Sequence, residues 1–101
     1  TIGDDVTIGH LALLHGCTVG SRTLIGMGSI VLDEASVGDE CILAAGSLVP
    51  PKMVIPPRSL AMGRPAKIVR TLTDVDLAWV REAGTLYVAY AKTFRTSVRA
   101  L

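Results

Sequence analysis

Aliphatic residues recur at every sixth position through the first 55 residues, and this period constrains the fold more than any other feature of the sequence. The one departure is a step of five residues, from Leu14 to Val19. A period of six matches neither the helical period of about 3.6 nor the alternation of a single strand. It fits a repeating unit made of a short strand and a corner. The positions in this frame are Ile2, Ile8, Leu14, Val19, Ile25, Val31, Val37, Leu43, Val49 and Ile55.

Three strands and three corners close one triangular coil of about 18 residues, so the repeat predicts a parallel β-helix. The aliphatic residues are expected to fill the bore in three stacks: Ile8–Ile25–Leu43, Leu14–Val31–Val49 and Ile2–Val19–Val37–Ile55. A small or β-branched residue lies four positions after most of them and is also expected to face inward, because the bore is narrow. These residues are Val6, Ala12, Thr18, Thr23, Ser29, Ala35, Cys41, Ser47 and Ser59. The alternative, a β-sandwich of short strands, needs no fixed repeat.

The repeat predicts β-helix coils over residues 1–55, and because the first residues already obey it, we expect more coils upstream of Thr1. Residues 56–72 are predicted to be an extended, proline-rich exit that ends the stack, since proline lacks a donor and fixes φ. Thr73 is the expected N-cap of a helix over 73–96 that packs on the β-helix; a partner-binding helix is the alternative. Its apolar stripe has helical spacing and consists of Val80, Ala83, Tyr87, Ala91 and Phe94.

Composition excludes several classes of function. The net charge is +1, which gives no electrostatic basis for binding nucleic acid. No uncharged apolar run approaches the length of about 18 residues that a membrane span needs, so no membrane partner is predicted. Without a charged segment followed by an apolar one at the start, we expect no secretory signal and a cytoplasmic location. Cys17 and Cys41 form no CxxC motif and are interpreted as small core residues.

Both histidines of the chain, His10 and His15, lie in the apolar segment IGHLALLHGC. On spacing alone, such a pair is either a set of metal ligands or, more commonly, two histidines that are solvated or packed at a subunit contact. The segment GHLALLHGC with its five-residue step, then LIGMGSIVLD, GRPAKIVR and WVREAGTLYVAYAK, resembles the γ-class carbonic anhydrase and ferripyochelin-binding-protein-like family. This resemblance implies a left-handed β-helix followed by a C-terminal α-helix, assembled as a homotrimer.

The resemblance also implies a metal site between subunits, with His15 from one subunit and His10 from its neighbour as ligands of Zn²⁺. Fe²⁺ or Co²⁺ is the alternative, since imidazole suits several metals. Five strand residues span up to about 17 Å, and a corner intervenes, so one metal is awkward for both rings of a single subunit. Tyr87 resembles a tyrosine of the family's C-terminal helix near the metal and is the catalytic candidate, with a packing residue as the other interpretation.

The implied function is the reversible, zinc-dependent hydration of a small-molecule substrate, CO₂, to bicarbonate. The family's third histidine matches a position upstream of Thr1, so this chain is expected to hold an incomplete site. Leu11 stands where the family often has Gly, and Ser21-Arg22 where it often has Asp-Asn. One alternative is a hexapeptide-repeat acyltransferase that uses coenzyme A, with His10 or His15 as its general base. The other is a non-catalytic trimeric scaffold.

Overall fold

The computed structural model describes residues 1–82, which form a β-solenoid of three coils followed by a hairpin and the start of a helix. Two longer strands, β10 (Ser59–Gly63) and β11 (Ala66–Thr71), make the hairpin, and helix α1 begins at residue 74 and is described to residue 82. The coil strands have two residues each: β1 (Thr7–Ile8), β2 (Leu13–Leu14), β3 (Thr18–Val19), β4 (Leu24–Ile25), β5 (Ile30–Val31), β6 (Ser36–Val37), β7 (Ile42–Leu43), β8 (Leu48–Val49) and β9 (Val54–Ile55).

The strands form three faces, each a stack of parallel strands taken from successive coils. The first face has the order β1-β4-β7-β10-β11, the second β2-β5-β8 and the third β3-β6-β9. The aliphatic stacks are in the predicted register: Ile25 pairs with Ile8 and Leu43, Val31 with Leu14 and Val49, and Val37 with Val19 and Ile55. The predicted β-helix is therefore confirmed.

We call the bend between the first and second faces the first corner (residues 9–12, 26–29 and 44–47). The second corner (residues 15–17, 32–35 and 50–53) and the third corner (residues 3–6, 20–23, 38–41 and 56–58) follow along the chain.

Each corner turns through one residue with a left-handed backbone. Seven of these residues are not glycine, with φ between 54° and 66°: Asp5, Leu11, Arg22, Glu34, Glu40, Lys52 and Arg58. This conformation is unfavourable for L-residues and persists only where surrounding contacts fix it. Hydrogen bonds between coils supply such contacts, since the Glu34 amide donates to the Gly16 carbonyl at 2.8 Å and the Arg58 amide to the Asp39 carbonyl at 2.9 Å.

The bore is filled by the predicted aliphatic residues of the second and third coils, of which Ile25, Val31, Leu43 and Val49 have no exposed surface. Ile2 and Ile8 are 44% and 43% exposed, because a rung at the edge of the described stack has a neighbour on one side only. Small polar residues also lie in the bore with their hydroxyls satisfied by corner carbonyls: Thr23 donates to Gly38 (2.8 Å), Ser29 to Ala44 (3.1 Å) and Ser59 to Pro56 (2.8 Å).

The five-residue step changes one of the predicted inward positions. Thr18 is exposed, and Cys17 takes its place in the core with 7% exposure. The prediction for Thr18 is wrong because the second corner of this coil is one residue shorter, which moves the inward position back by one. The core role of both cysteines is confirmed, since Cys41 is fully buried and both thiols are free. Burial raises the pKa of the Cys41 thiol.

The coil stack continues past residue 55, the boundary that the sequence predicts. Strand β10 adds a rung to the first face by pairing Leu60 with Ile42 and Ala61 with Leu43, and β11 then folds back antiparallel. The paired prolines 50–51 and 56–57 lie in corners rather than in strands. They follow β8 and β9, the last strands of the second and third faces among the described residues. No further described coil lies beyond these strands, so the amide donor that proline lacks has no acceptor to lose there.

Helix α1 begins with a reciprocal cap between Thr73 and Asp76. The Asp76 carboxylate accepts from the Thr73 amide at 2.7 Å, and the Asp76 amide donates to the Thr73 hydroxyl at 3.3 Å. Leu77 and Val80 are buried on one side of the helix. Thr73 is therefore confirmed as the N-cap, whereas Ala83, Tyr87, Ala91 and Phe94 lie outside the described residues. Within residues 1–82, no helix is long and apolar enough to cross a membrane.

The Asp76→Asn variant tests this cap through the pH dependence of stability. The Arg70 guanidinium, 2.7 Å away, and the Thr73 amide and hydroxyl hold the pKa of Asp76 well below its usual range. A carboxyl with a lowered folded-state pKa stabilises the fold above the unfolded-state value of about 3.9, and this contribution is lost as the pH falls. In urea unfolding, the variant is expected to be less stable than wild type at pH 7, with the difference shrinking below about pH 4. A difference that does not change with pH contradicts the assignment.

Candidate metal site

His15 lies in the shortened turn of the second corner, between the end of β2 at Leu14 and the start of β3 at Thr18. Its side chain is 71% exposed, and its backbone amide donates to the Val31 carbonyl of the next coil at 3.0 Å. Gly16 follows with a φ of 62°. A Cβ at Gly16 would collide with the Asp33 carboxylate of the next coil, so glycine is required there for both backbone and space.

The His15 ring is held by a carboxylate from the coil below. Its Nδ1 donates to Oδ1 of Asp33 at 2.5 Å, and the Asp33 side chain is itself 60% exposed. A carboxylate only accepts, so Nδ1 carries a proton, and in the neutral ring Nε2 has the lone pair. Among residues 1–82, Nε2 has no hydrogen-bond partner. This arrangement leaves one exposed nitrogen free to bind a metal.

His10 lies in the first corner, after β1 and next to the left-handed residue Leu11. Its ring is exposed and has no hydrogen bond to any described residue, while its backbone carbonyl accepts from the Gly28 amide at 2.9 Å. Leu11 is 94% exposed, and Met27 of the next coil is 54% exposed. The first corner therefore presents an imidazole beside apolar side chains.

The two histidines belong to different corners of one protomer and border the second face from opposite sides. The outward residues of that face are apolar: Leu13 is 51% exposed, and Ile30 and Leu48 are half-buried. Its surface between the two imidazoles is thus a strip of leucine and isoleucine. Such a strip on a sheet is typical of a surface that packs against another protein.

The structure does not gather a complete metal site within one protomer. In residues 1–82, no three or more His, Cys, Asp or Glu side chains converge to hold a metal ion. The donors that are present suit a transition metal, because an imidazole with a free Nε2 and a carboxylate behind its Nδ1 is a common ligand arrangement for zinc. Tyr87, the catalytic residue that the sequence predicts, lies outside the described residues.

Asp33 is the functional candidate that the sequence analysis does not identify. It lies 18 residues after His15, which is the length of one coil. A search for acidic or basic residues one coil away from each histidine would therefore have found it. Glu34, the next residue, forms an ion pair with Lys52 rather than with His15, with 3.9 Å between Oε2 and Nζ.

Residues 16–51 match the family model described as bacterial transferase hexapeptide (six repeats). The mitochondrial protein gamma carbonic anhydrase 1 of Arabidopsis thaliana is 46% identical over 86 residues, which are 85% of this chain and 31% of that protein. The chain spans about a third to a half of the length of the curated relatives it matches.

Two solved structures support the same architecture. A hexapeptide transferase family protein of Anaplasma phagocytophilum has a TM-score of 0.82 and 34% identity, covering 92% of this chain and 60% of its own. A variant of the GDP-perosamine N-acetyltransferase of Caulobacter crescentus, in complex with CoA and GDP-perosamine, has a TM-score of 0.65 and 33% identity. It covers 68% of this chain and 32% of its own.

Proposed function

Because the chain belongs to the hexapeptide-repeat β-helix family that includes the γ-class carbonic anhydrases, we propose that it contributes to a zinc site between subunits that hydrates CO₂ reversibly. In this proposal, His15 of one subunit and His10 of a neighbour are two of the ligands. The observation that carries the proposal is the His15–Asp33 pair, which leaves Nε2 free on an exposed corner. A carboxylate on one ring nitrogen and a free second nitrogen are the arrangement that metal-ligating histidines usually have.

A threefold assembly accounts for the position of the two histidines. The second face offers the strip of Leu13, Ile30 and Leu48 for burial against a neighbour. Cyclic symmetry makes such contacts heterologous, and in this proposal the first corner of one copy meets the second corner of another. That juxtaposition brings His10 and His15 of different copies to one place, which a single coil cannot do.

The residues of this chain have defined tasks in such a site. A bound Zn²⁺ supplies a nucleophile from water at neutral pH by lowering the pKa of that water to about 7. His15 and His10 each offer a neutral nitrogen, which leaves the positive charge on the metal undiminished. Leu11 and Met27, both exposed at the first corner, offer an apolar surface for CO₂, which carries no charge.

Mixing two inactive variants tests whether the site is shared. In full-length protein, His10→Ala and His15→Ala subunits should each bind no zinc in homotrimers. In a mixed trimer, one of the three interfaces pairs an intact His10 with an intact His15. Random 1:1 mixing by co-expression is therefore expected to restore about a quarter of the wild-type zinc content, because about three quarters of the trimers are mixed and each of these has one intact site of three. Zinc is measured per subunit by mass spectrometry after chelator dialysis.

Native mass spectrometry of differently tagged variants provides the control for this experiment, since it shows directly whether mixed trimers have formed. Mixed trimers without zinc contradict a site made by His10 and His15 of neighbouring subunits. A wild-type protein without any metal rejects the zinc proposal as a whole. Recovery of zinc without recovery of CO₂ hydration supports the non-catalytic scaffold.

Acyl transfer from coenzyme A is the second candidate, and the similarity to an acetyltransferase in complex with CoA favours it. In that case an exposed histidine acts as general base toward a hydroxyl or amine. Release of free thiol from acetyl-CoA, insensitive to removal of zinc by a chelator, supports this reaction over CO₂ hydration. We also propose a cytoplasmic location, which is compatible with the two buried free thiols, and cell fractionation tests it.

A further inference from the structure

Two exposed polar side chains of successive coils, His15 and Asp33, form the closest side-chain contact at the second corner. The pair is 71% and 60% exposed, and exposed pairs of this kind add little to folding stability. The main effect of the pair is to fix the orientation of the His15 ring. Without a partner, an exposed imidazole moves among several rotamers and exchanges its proton between both nitrogens.

The backbone of the second corner is built to admit this contact. The short turn places His15 directly after β2, and Gly16 leaves open the space that the Asp33 carboxylate occupies. The backbone carbonyl of Asp33 makes a different contact, because it accepts from the Lys52 amide at 3.0 Å. The backbone of Asp33 is therefore anchored to the third coil while its side chain reaches up to the first.

We propose that Asp33 is a positioning residue, which fixes His15 as the Nδ1–H tautomer and presents Nε2 as the metal-binding nitrogen. This inference rests on the proposed zinc site. Carboxylates that accept from the far nitrogen of a ligating histidine both orient the ring and raise its basicity. Asp33 does so from the neighbouring coil of the same subunit, so the alignment of the ligand depends on the register of the stack.

Replacing Asp33 tests the inference by zinc affinity and by the tautomer of His15. In full-length protein, Asp33→Ala is expected to weaken zinc binding by about 10–100-fold in competition with a chromophoric chelator. Asp33→Asn, whose side-chain oxygen can still accept, should lose less. In the metal-free proteins, long-range proton–nitrogen NMR spectra report which ring nitrogen carries the proton. The Nδ1–H form should dominate for His15 in wild type and decline in Asp33→Ala.

Two matched variants separate positioning from general effects. Glu34→Gln removes a negative charge from the same corner without touching His15. Asp39→Ala removes an aspartate from the equivalent place in the third corner, where Oδ1 accepts from the Ser21 amide at 2.7 Å. Both are expected to keep wild-type zinc affinity and the wild-type His15 tautomer.

The outcomes distinguish this inference from the proposed function. If wild type and Asp33→Ala bind zinc equally tightly, the positioning role is overturned, but the proposed zinc site is not. An Nε2–H tautomer for His15 in the wild type also overturns it. A wild type that binds no zinc overturns the proposed function, and with it the metal-directed role of Asp33.

Discussion

Replacing His15 with alanine is expected to abolish zinc binding by the full-length protein without unfolding the coil stack. The ring lies outside the bore with 71% of its side chain exposed, and its one side-chain hydrogen bond within residues 1–82 is with Asp33. Surface substitutions of this kind usually change the free energy of unfolding by less than about 0.5 kcal/mol. Loss of one of three protein ligands, by contrast, removes the coordination that a zinc site requires.

The measurement compares zinc content, thermal unfolding and oligomeric state of His15→Ala with those of wild type. Thr18→Ala is the matched control, because Thr18 is exposed three residues further along the same coil and takes part in no proposed ligand set. Unchanged zinc content in His15→Ala rejects the metal site. Loss of zinc together with loss of folding calls for the conservative variant His15→Gln, which keeps the bulk of the side chain and must also fail to bind zinc.

Replacing Leu43 with alanine is expected to destabilise the fold by about 2–5 kcal/mol, the range for large apolar side chains in a closed core. Leu43 has no exposed surface and pairs on one side with Ile25 and on the other with Ala61. The bore is narrow, and its walls are strands fixed to neighbouring coils by hydrogen bonds. We therefore expect the walls to relax little around the cavity.

Urea unfolding is measured at fixed protein concentration, because the stability of a protein that associates depends on its concentration. Val54→Ala is the control, since Val54 lies on an outer face with 66% exposure and should change stability by no more than about 0.5 kcal/mol. A cost below about 1 kcal/mol for Leu43→Ala contradicts the placement of this stack at the centre of the core.

The sequence by itself determined the faces, the register and the aliphatic residues of the bore. A closed coil of nearly constant length makes residues 17 or 18 positions apart into neighbours, so Ile25 must lie between Ile8 and Leu43 once the period is recognised. Thr73 could be identified as the N-cap for a similar reason, because a capping side chain acts on the next turn of its own helix. The prediction of zinc ligation depended on the family resemblance, since two histidines at this spacing have several uses.

Only the tertiary structure decided which corner side chains meet. The repeat specifies the strands, but a corner has a different backbone from one coil to the next, and the omission of one residue exchanged Thr18 for Cys17 in the core. The repeat places Asp33 one coil away from His15, but only the structure shows that the two side chains meet. The hairpin that continues the first face was likewise hidden, because prolines that end a ladder in a strand can lie in a corner without breaking the stack.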